Sequence, residues 1–116
     1  MTSGVKTIIY SVSDVPAAKE RLDILLGTEP YSNEPYYVGY KVNGQDIGIT
    51  PKRGDAPALG PVCFFEVGDI KTAVQDLTEK GMEIVEDVRD VGNGRLIATL
   101  KDADGNPLGV LQDPPA

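Results

Sequence analysis

The chain states one short pattern twice, and this duplication constrains its fold more than any other feature. Val12-Ser13-Asp14-Val15 opens a helical stretch that closes at Leu26-Gly27, and Val67-Gly68-Asp69-Ile70 opens a second that closes at Lys80-Gly81. Each half ends on a further echo: Gly44-Gln45-Asp46-Ile47-Gly48-Ile49 in the first, Gly105-Asn106-Pro107-Leu108-Gly109-Val110 in the second. A repeat of this kind sets the architecture before local detail does, because each copy is one supersecondary unit.

Local patterns fill in each copy. Residues 6–12 (KTIIYSV) are β-branched and aromatic, as a strand requires. Asp14 is placed to cap a helix with Pro16 in its first turn, and Val15, Ala18, Leu22, Leu25 and Leu26 recur at the spacing of one buried helical face. Gly27 is the expected stop. Residues 28–35 read as a loop or ragged edge strand, 36–42 as a strand, Asn43-Gly44 as a hairpin turn and 45–50 as its partner. Residues 51–61 (PKRGDAPALGP) form the clearest linker. The second copy repeats the order: strand 62–67, Asp69 cap, helix face Ile70, Ala73, Val74 and Leu77, and Gly81 stop. Strand 82–88, a mobile loop at 91–94, strand 95–101, a turn at 102–106 and strand 107–112 follow. The predicted class is α+β: one domain over 1–116, with βαβββ modules at 5–50 and 62–113 forming curved mixed sheets around a shared cleft.

Composition removes several function classes. With 18 acidic against 11 basic residues the net charge is −7, so a nucleic-acid backbone would be repelled. No apolar run approaches the ~18 residues of a membrane span. The first residues lack a basic region followed by an apolar one, so no signal peptide is expected. Cys63 stands alone and cannot form an intramolecular disulfide, which suits the cytoplasm. Histidine is absent, which removes the commonest metal ligand and the commonest general base together.

The pattern resembles the vicinal oxygen chelate superfamily, the glyoxalase, bleomycin-resistance and extradiol-dioxygenase type proteins. The residues carrying the resemblance are Val67-Gly68-Asp69-Ile70, Gly92-Asn93-Gly94-Arg95, and the closing run from Lys101 through Asp102-Ala103-Asp104-Gly105-Asn106 to Gln112. The resemblance implies a fold of paired βαβββ modules. Its functions range from metal-dependent lyases, isomerases and dioxygenases to metal-free proteins that sequester antibiotics. In the metal enzymes four positions supply ligands, and these align here with Thr7, Gly48, Val62 and Gly109. None is His, Glu or Gln, whereas a catalytic metal wants about three protein ligands. The expectation is therefore no cofactor and no ordinary glyoxalase I or metal-dependent dioxygenase activity; an unusual oxygen-only site for Mg²⁺ or Mn²⁺ stays open.

Strand alternation sorts the candidate site residues. Thr7, Ile9 and Ser11 oppose Ile8, Tyr10 and Val12; Val62, Phe64 and Glu66 oppose Cys63, Phe65 and Val67. The more apolar sets belong under the helices, leaving Thr7, Ser11, Phe64 and Glu66 for the cleft. Tyr37, Gly39 and Lys41, with Ile97, Thr99 and Lys101, fall on its side or rim, and Gly48 and Gly109 on its floor. Glu66 is either a general base or ligand anchor, or one half of a rim ion pair with Arg95 or Lys101. Arg95 either binds an anionic ligand group as the preceding loop closes, or is a surface or dimer-pairing arginine. Among the crowded tyrosines, Tyr36 and Tyr40 are expected to alternate into the core, with Tyr37 and Tyr31 free to form an aromatic wall. The paired glycines either open floor space or let strands approach closely.

Three functional readings follow. The first is a metal-free binder of a small organic molecule, antibiotic-like or a toxic metabolite. The second is an enzyme, a lyase or isomerase with Glu66 as base. The third is an inert structural dimer. A homodimer is expected in each case.

Overall fold

The computed structural model describes residues 2–53 and 60–115. Among these described residues, eight strands and two helices follow in the order β1 (Thr2–Val12), α1 (Val15–Leu26), β2 (Ser32–Glu34), β3 (Tyr37–Val42), β4 (Gln45–Pro51), β5 (Val62–Val67), α2 (Ile70–Glu79), β6 (Glu83–Asp90), β7 (Leu96–Lys101) and β8 (Pro107–Gln112). This is the α+β class read from the sequence. The chain divides into two compact units, Thr7–Pro61 and Met1–Lys6 with Val62–Ala116. Residues 54–59 of the predicted linker lie outside the described residues, while Pro51 closes β4 and the Lys52 N–H donates to the Val12 carbonyl at 2.8 Å.

In the Thr7–Pro61 unit the strand order is β2-β3-β4-β1. β1 runs parallel to β4, which the helical crossover requires, and the other pairs are antiparallel. The helix starts where Asp14 Oδ1 accepts from the Ala17 N–H at 3.0 Å and stops where Gly27 turns left-handed at φ 66°, its N–H donating to the Asp23 carbonyl. Asn43 and Gly44 both have positive φ, the signature of the tight two-residue hairpin that fixes the β3/β4 register. α1 packs Ala18 onto Val38, Tyr40 and Ile49, with Val12, Val15, Leu22, Leu26 and Ile47 around them.

Two expectations fail in this unit. Leu25 is 76% exposed, because it lies on the flank of the stripe set by Val15, Ala18, Leu22 and Leu26. Tyr36 is 70% exposed, because β3 begins one residue later and Tyr36 sits in the preceding turn, where strand alternation does not apply. Tyr10, read onto the helix side, also keeps 39% of its surface.

The second unit repeats the plan. β5 runs parallel to β8, and β7 pairs antiparallel with both β8 and β6, giving the order β5-β8-β7-β6 beside the first residues of β1. Asp69 Oδ1 caps α2 through the Thr72 N–H at 3.1 Å, and this bond holds the carboxyl below the usual carboxylate range. Ile70, Ala73 and Val74 pack on Val67, Ala98, Leu100 and Val110. Ile70 and Leu100 are almost wholly buried, each worth ~1.5–3 kcal/mol of removed apolar surface. No described helix is long and apolar enough to cross a membrane.

Candidate functional site

In each unit the face opposite the helix carries the sequence-predicted site residues, and each is described on its own.

In the first unit, the registers Thr7↔Asp46, Ile9↔Gly48 and Ser11↔Thr50 join β1 to β4, and Gly39↔Gly48 and Lys41↔Asp46 join β3 to β4. Thr7, Ser11, Tyr37 and Gly48 therefore share one face, as alternation predicted. The space over Gly48 and its neighbour Gly39 is filled. A Cβ built on Gly48 would lie 2.6 Å from Tyr37 Cε1 and 2.8 Å from Ile9 Cδ1, and one built on Gly39 would lie 2.7 Å from Tyr37 Cε2. The Tyr37 ring thus lies across both glycines, occupying the volume that side chains there would take. Its hydroxyl is 3.2 Å from that of Tyr31, whose N–H donates to the Gly39 carbonyl at 2.8 Å. Ser11 Oγ and Thr50 Oγ1 lie 3.4 Å apart. Tyr31, Lys41 and Asp46 line a pocket of about 270 Å³.

Tyr40 points the other way. Its hydroxyl donates to Asp23 Oδ1 at 2.7 Å, and Lys19 Nζ bonds Asp23 Oδ2 at 2.7 Å, which ties α1 to the sheet. These bonds hold the Asp23 carboxyl below its ordinary range, the Lys19 bond acting most strongly. Burial, and then the Asp23 bond, push the Tyr40 hydroxyl up.

In the second unit, Phe64↔Gly109 and Thr99↔Gly109 are in register, and the Phe64 ring covers Gly109 as Tyr37 covers Gly48. A Cβ on Gly109 would meet Phe64 Cδ1, Cε1 and Cγ. Phe64 and Thr99 are buried. Glu66 lines a larger pocket of about 440 Å³ with Ser3, Gly68, Gln112, Asp113 and Pro114. Ser3 Oγ donates to Glu66 Oε1 at 3.1 Å, and Thr2 Oγ1 donates to the Glu66 carbonyl at 2.6 Å. Gln112 Oε1 accepts from the Ile70 N–H at 2.8 Å, closing the start of α2.

Arg95 Nε bonds Asp113 Oδ1 at 2.6 Å, and Lys101 Nζ lies 3.7 Å from Glu83. Asp113 also has Lys6 at 3.9 Å. Its carboxyl is held below the usual range by Arg95 foremost, with smaller contributions from Glu66 and Lys6. The 91–94 segment is a hydrogen-bonded turn, with Val91 N–H donating to Arg95 O at 2.9 Å and Arg95 N–H to Gly92 O at 3.1 Å.

Sequence reading missed Asp46, Ser3, Gln112 and Asp113. Asp46 was within reach: a two-residue turn at Asn43-Gly44 places Gln45 opposite Val42 and Asp46 opposite Lys41. Ser3 and Asp113 are brought to Glu66 only by tertiary pairing and leave no local signal.

The donor set does not fit a family-type metal centre. Gly48 and Gly109 offer no ligand and are roofed by rings, Val62 offers none, and Thr7 offers one neutral oxygen.

Two βαβββ modules, each with one parallel and several antiparallel strand pairs, define the fold class. The Glyoxalase/Bleomycin resistance protein/Dioxygenase superfamily model matches residues 4–110, and the chain belongs to that superfamily. Its fold is similar to methylmalonyl-CoA epimerase from Mycobacterium tuberculosis, at 18% identity over 98% of this chain and 90% of that one, with a TM-score of 0.74. It is also similar to NAD-dependent benzaldehyde dehydrogenase from Legionella pneumophila, at 18% identity over 93% and 98% of the two chains, TM-score 0.73. A superfamily member from Vibrio splendidus 12B01 gives 16% identity, coverage of 93% and 97%, and a TM-score of 0.71. No curated protein matches the chain.

Proposed function

We propose that this chain is a metal-free small-molecule-binding member of the superfamily, holding an organic ligand of antibiotic-like or toxic-metabolite character. One observation carries the reading: both glycines at the ligand positions of the metal enzymes lie under aromatic rings, Tyr37 over Gly48 and Phe64 over Gly109. A coordination sphere is replaced by flat apolar surface, the kind of wall that binds organic rings. We place the protein in the cytoplasm as a homodimer; light scattering of the purified chain tests the dimer. Thermal shift against a panel of small organic molecules tests the binding reading, because a ligand at ~100 times its Kd adds about 2.7 kcal/mol. A panel that leaves Tm unmoved, together with stoichiometric bound metal, refutes it.

A second reading is favoured by the pocket at Glu66. Its carboxylate stands beside Asp113 in about 440 Å³ of space with Ser3 as a hydroxyl donor, an arrangement that suits a general base in a lyase or isomerase. Turnover lost in Glu66→Gln with binding retained would favour this reading over simple sequestration.

A further inference from the structure

The first residues of β1 are arranged around Glu66. Thr2 Oγ1 donates to the Glu66 carbonyl at 2.6 Å, and Ser3 Oγ donates to Glu66 Oε1 at 3.1 Å. Consecutive side chains of a regular strand face opposite sides of the sheet. Here two consecutive hydroxyls turn to one residue, beside a bend at Gly4 whose φ of 114° suits glycine and few other residues. The Gly4 N–H donates to Thr2 Oγ1 at 3.0 Å and fixes that bend. Ser3 is exposed, yet its hydroxyl is committed to a carboxylate, and both residues line the cavity of about 440 Å³ together with Gln112 and Asp113. That volume falls within the range of roughly 300–1,000 Å³ usual for small-molecule sites. Asp113 interacts with Glu66 through its side chain and is held in turn by Arg95 at 2.6 Å, with Lys6 at 3.9 Å. Two cations therefore offset the two carboxylates. Gln112 Oε1 is taken by the Ile70 N–H, so the end of that amide left for a ligand is its NH₂ donor.

We propose that Ser3 and Glu66 are the nucleophile and general base of an acyl-transfer site for small neutral esters. This activity goes beyond the binding reading, and it shares only Glu66 with the lyase or isomerase reading. An activated nucleophile is recognised by a hydroxyl within hydrogen-bond reach of a base that a third group orients. Ser3 and Glu66 meet the first condition, and Asp113 with the Thr2 bond to the Glu66 backbone meets the second. The chemistry closes without any other reagent than water. Ser3 Oγ bonds to the acyl carbon as its proton passes to Glu66 Oε1. The bond from that carbon to the leaving alcohol breaks, and the alcohol takes the proton from Glu66. Water then attacks the acyl-serine by the same route, releasing the acid and restoring Ser3. The Gln112 NH₂ is the donor at hand for the oxygen of the tetrahedral intermediate. An anionic ester would meet the two carboxylates and a cationic one Lys6 and Arg95, so a neutral acyl group fits best.

The test treats the whole chain with p-nitrophenyl acetate, a neutral activated ester, and locates the acetyl group by intact mass and peptide mapping while nitrophenolate release is followed by absorbance. The expected result is acetylation at Ser3, approaching one equivalent per chain, in step with a burst of nitrophenolate. Ser3→Ala should remove that adduct, and Ser3→Cys should restore acylation at the same position. Glu66→Gln keeps the size and one acceptor oxygen of the side chain but cannot take the proton, so acylation of Ser3 should slow by ~10²–10⁴-fold. Circular dichroism of each variant establishes that it is folded. Acetyl groups confined to amines, no label at all, or labelling of Ser3 at an unchanged rate in folded Glu66→Gln would each overturn the dyad. Lyase or isomerase turnover by a chain that takes no label at Ser3 would overturn it too, and would leave that other reading standing. Label at Ser3 without such turnover would support the dyad alone.

Discussion

Gly109→Ala probes the ring-over-glycine arrangement. The backbone at Gly109 is ordinary strand without positive φ, so alanine meets no conformational obstacle there. By backbone entropy alone the change would stabilise by ~0.4–1 kcal/mol. The new Cβ, however, would lie 2.6 Å from Phe64 Cε1 and 2.7 Å from Cγ. Carbon–carbon contacts are optimal near ~3.5–4.0 Å, so the overlap is about 1 Å. Phe64 is 6% exposed and cannot swing into solvent, and overpacking of this kind costs ~1–3 kcal/mol. The net expectation is a loss of about 1–2 kcal/mol. For a chain of this size that lowers Tm by roughly 4–8 °C. Phe64→Ala should itself cost ~3–5 kcal/mol. In that background Gly109→Ala should become neutral or stabilising, a reversal of sign that a double-mutant cycle resolves as coupling of about 1–3 kcal/mol. Urea unfolding measures all four proteins, with the midpoint read at constant m. A stabilising Gly109→Ala in the native background, or coupling near zero, would refute the packing argument.

Three further outcomes are expected. Asp14→Ala removes the α1 cap and should cost about 1 kcal/mol by urea unfolding, with the fold retained by circular dichroism. The folded Tyr40 hydroxyl holds its proton above the ordinary range, so its contribution is whole below the unfolded value of ~10 and is lost as pH rises through the folded value; Tyr40→Phe should flatten the alkaline limb of Tm against pH. The folded Asp113 carboxyl lies below the ordinary range, so its contribution is present above the unfolded value of ~3.9 and lost as pH falls toward the folded one; Arg95→Ala should flatten the acid limb.

The fold was legible because its signals are local and doubled. Asp14 and Asp69 cap as read, Gly27 and Gly81 stop the helices as read, and Asn43-Gly44 turns the hairpin. Leu25 and Tyr36 misled because apolar character was counted without its angle on the helix or its place outside the strand. The site was legible only as faces. Alternation put Thr7, Tyr37 and Gly48 together, and Phe64, Glu66, Thr99 and Gly109 together. It could not say that the rings lie down on the glycines, because that depends on rotamers and on the space left where Gly39 and Gly48 face each other without side chains. Nor could it pair Arg95 with Asp113, which are 18 residues apart and meet only through the fold.

Metal content tests the central claim most directly. The chain is purified without chelator, its bound metals are counted by mass spectrometry, and zinc, nickel, manganese and iron are then titrated by calorimetry. The expected result is metal far below one equivalent per chain and no saturable heat. One equivalent of any of these ions, held through Asp or Glu oxygens and stripped by chelator with a fall in Tm, would contradict it.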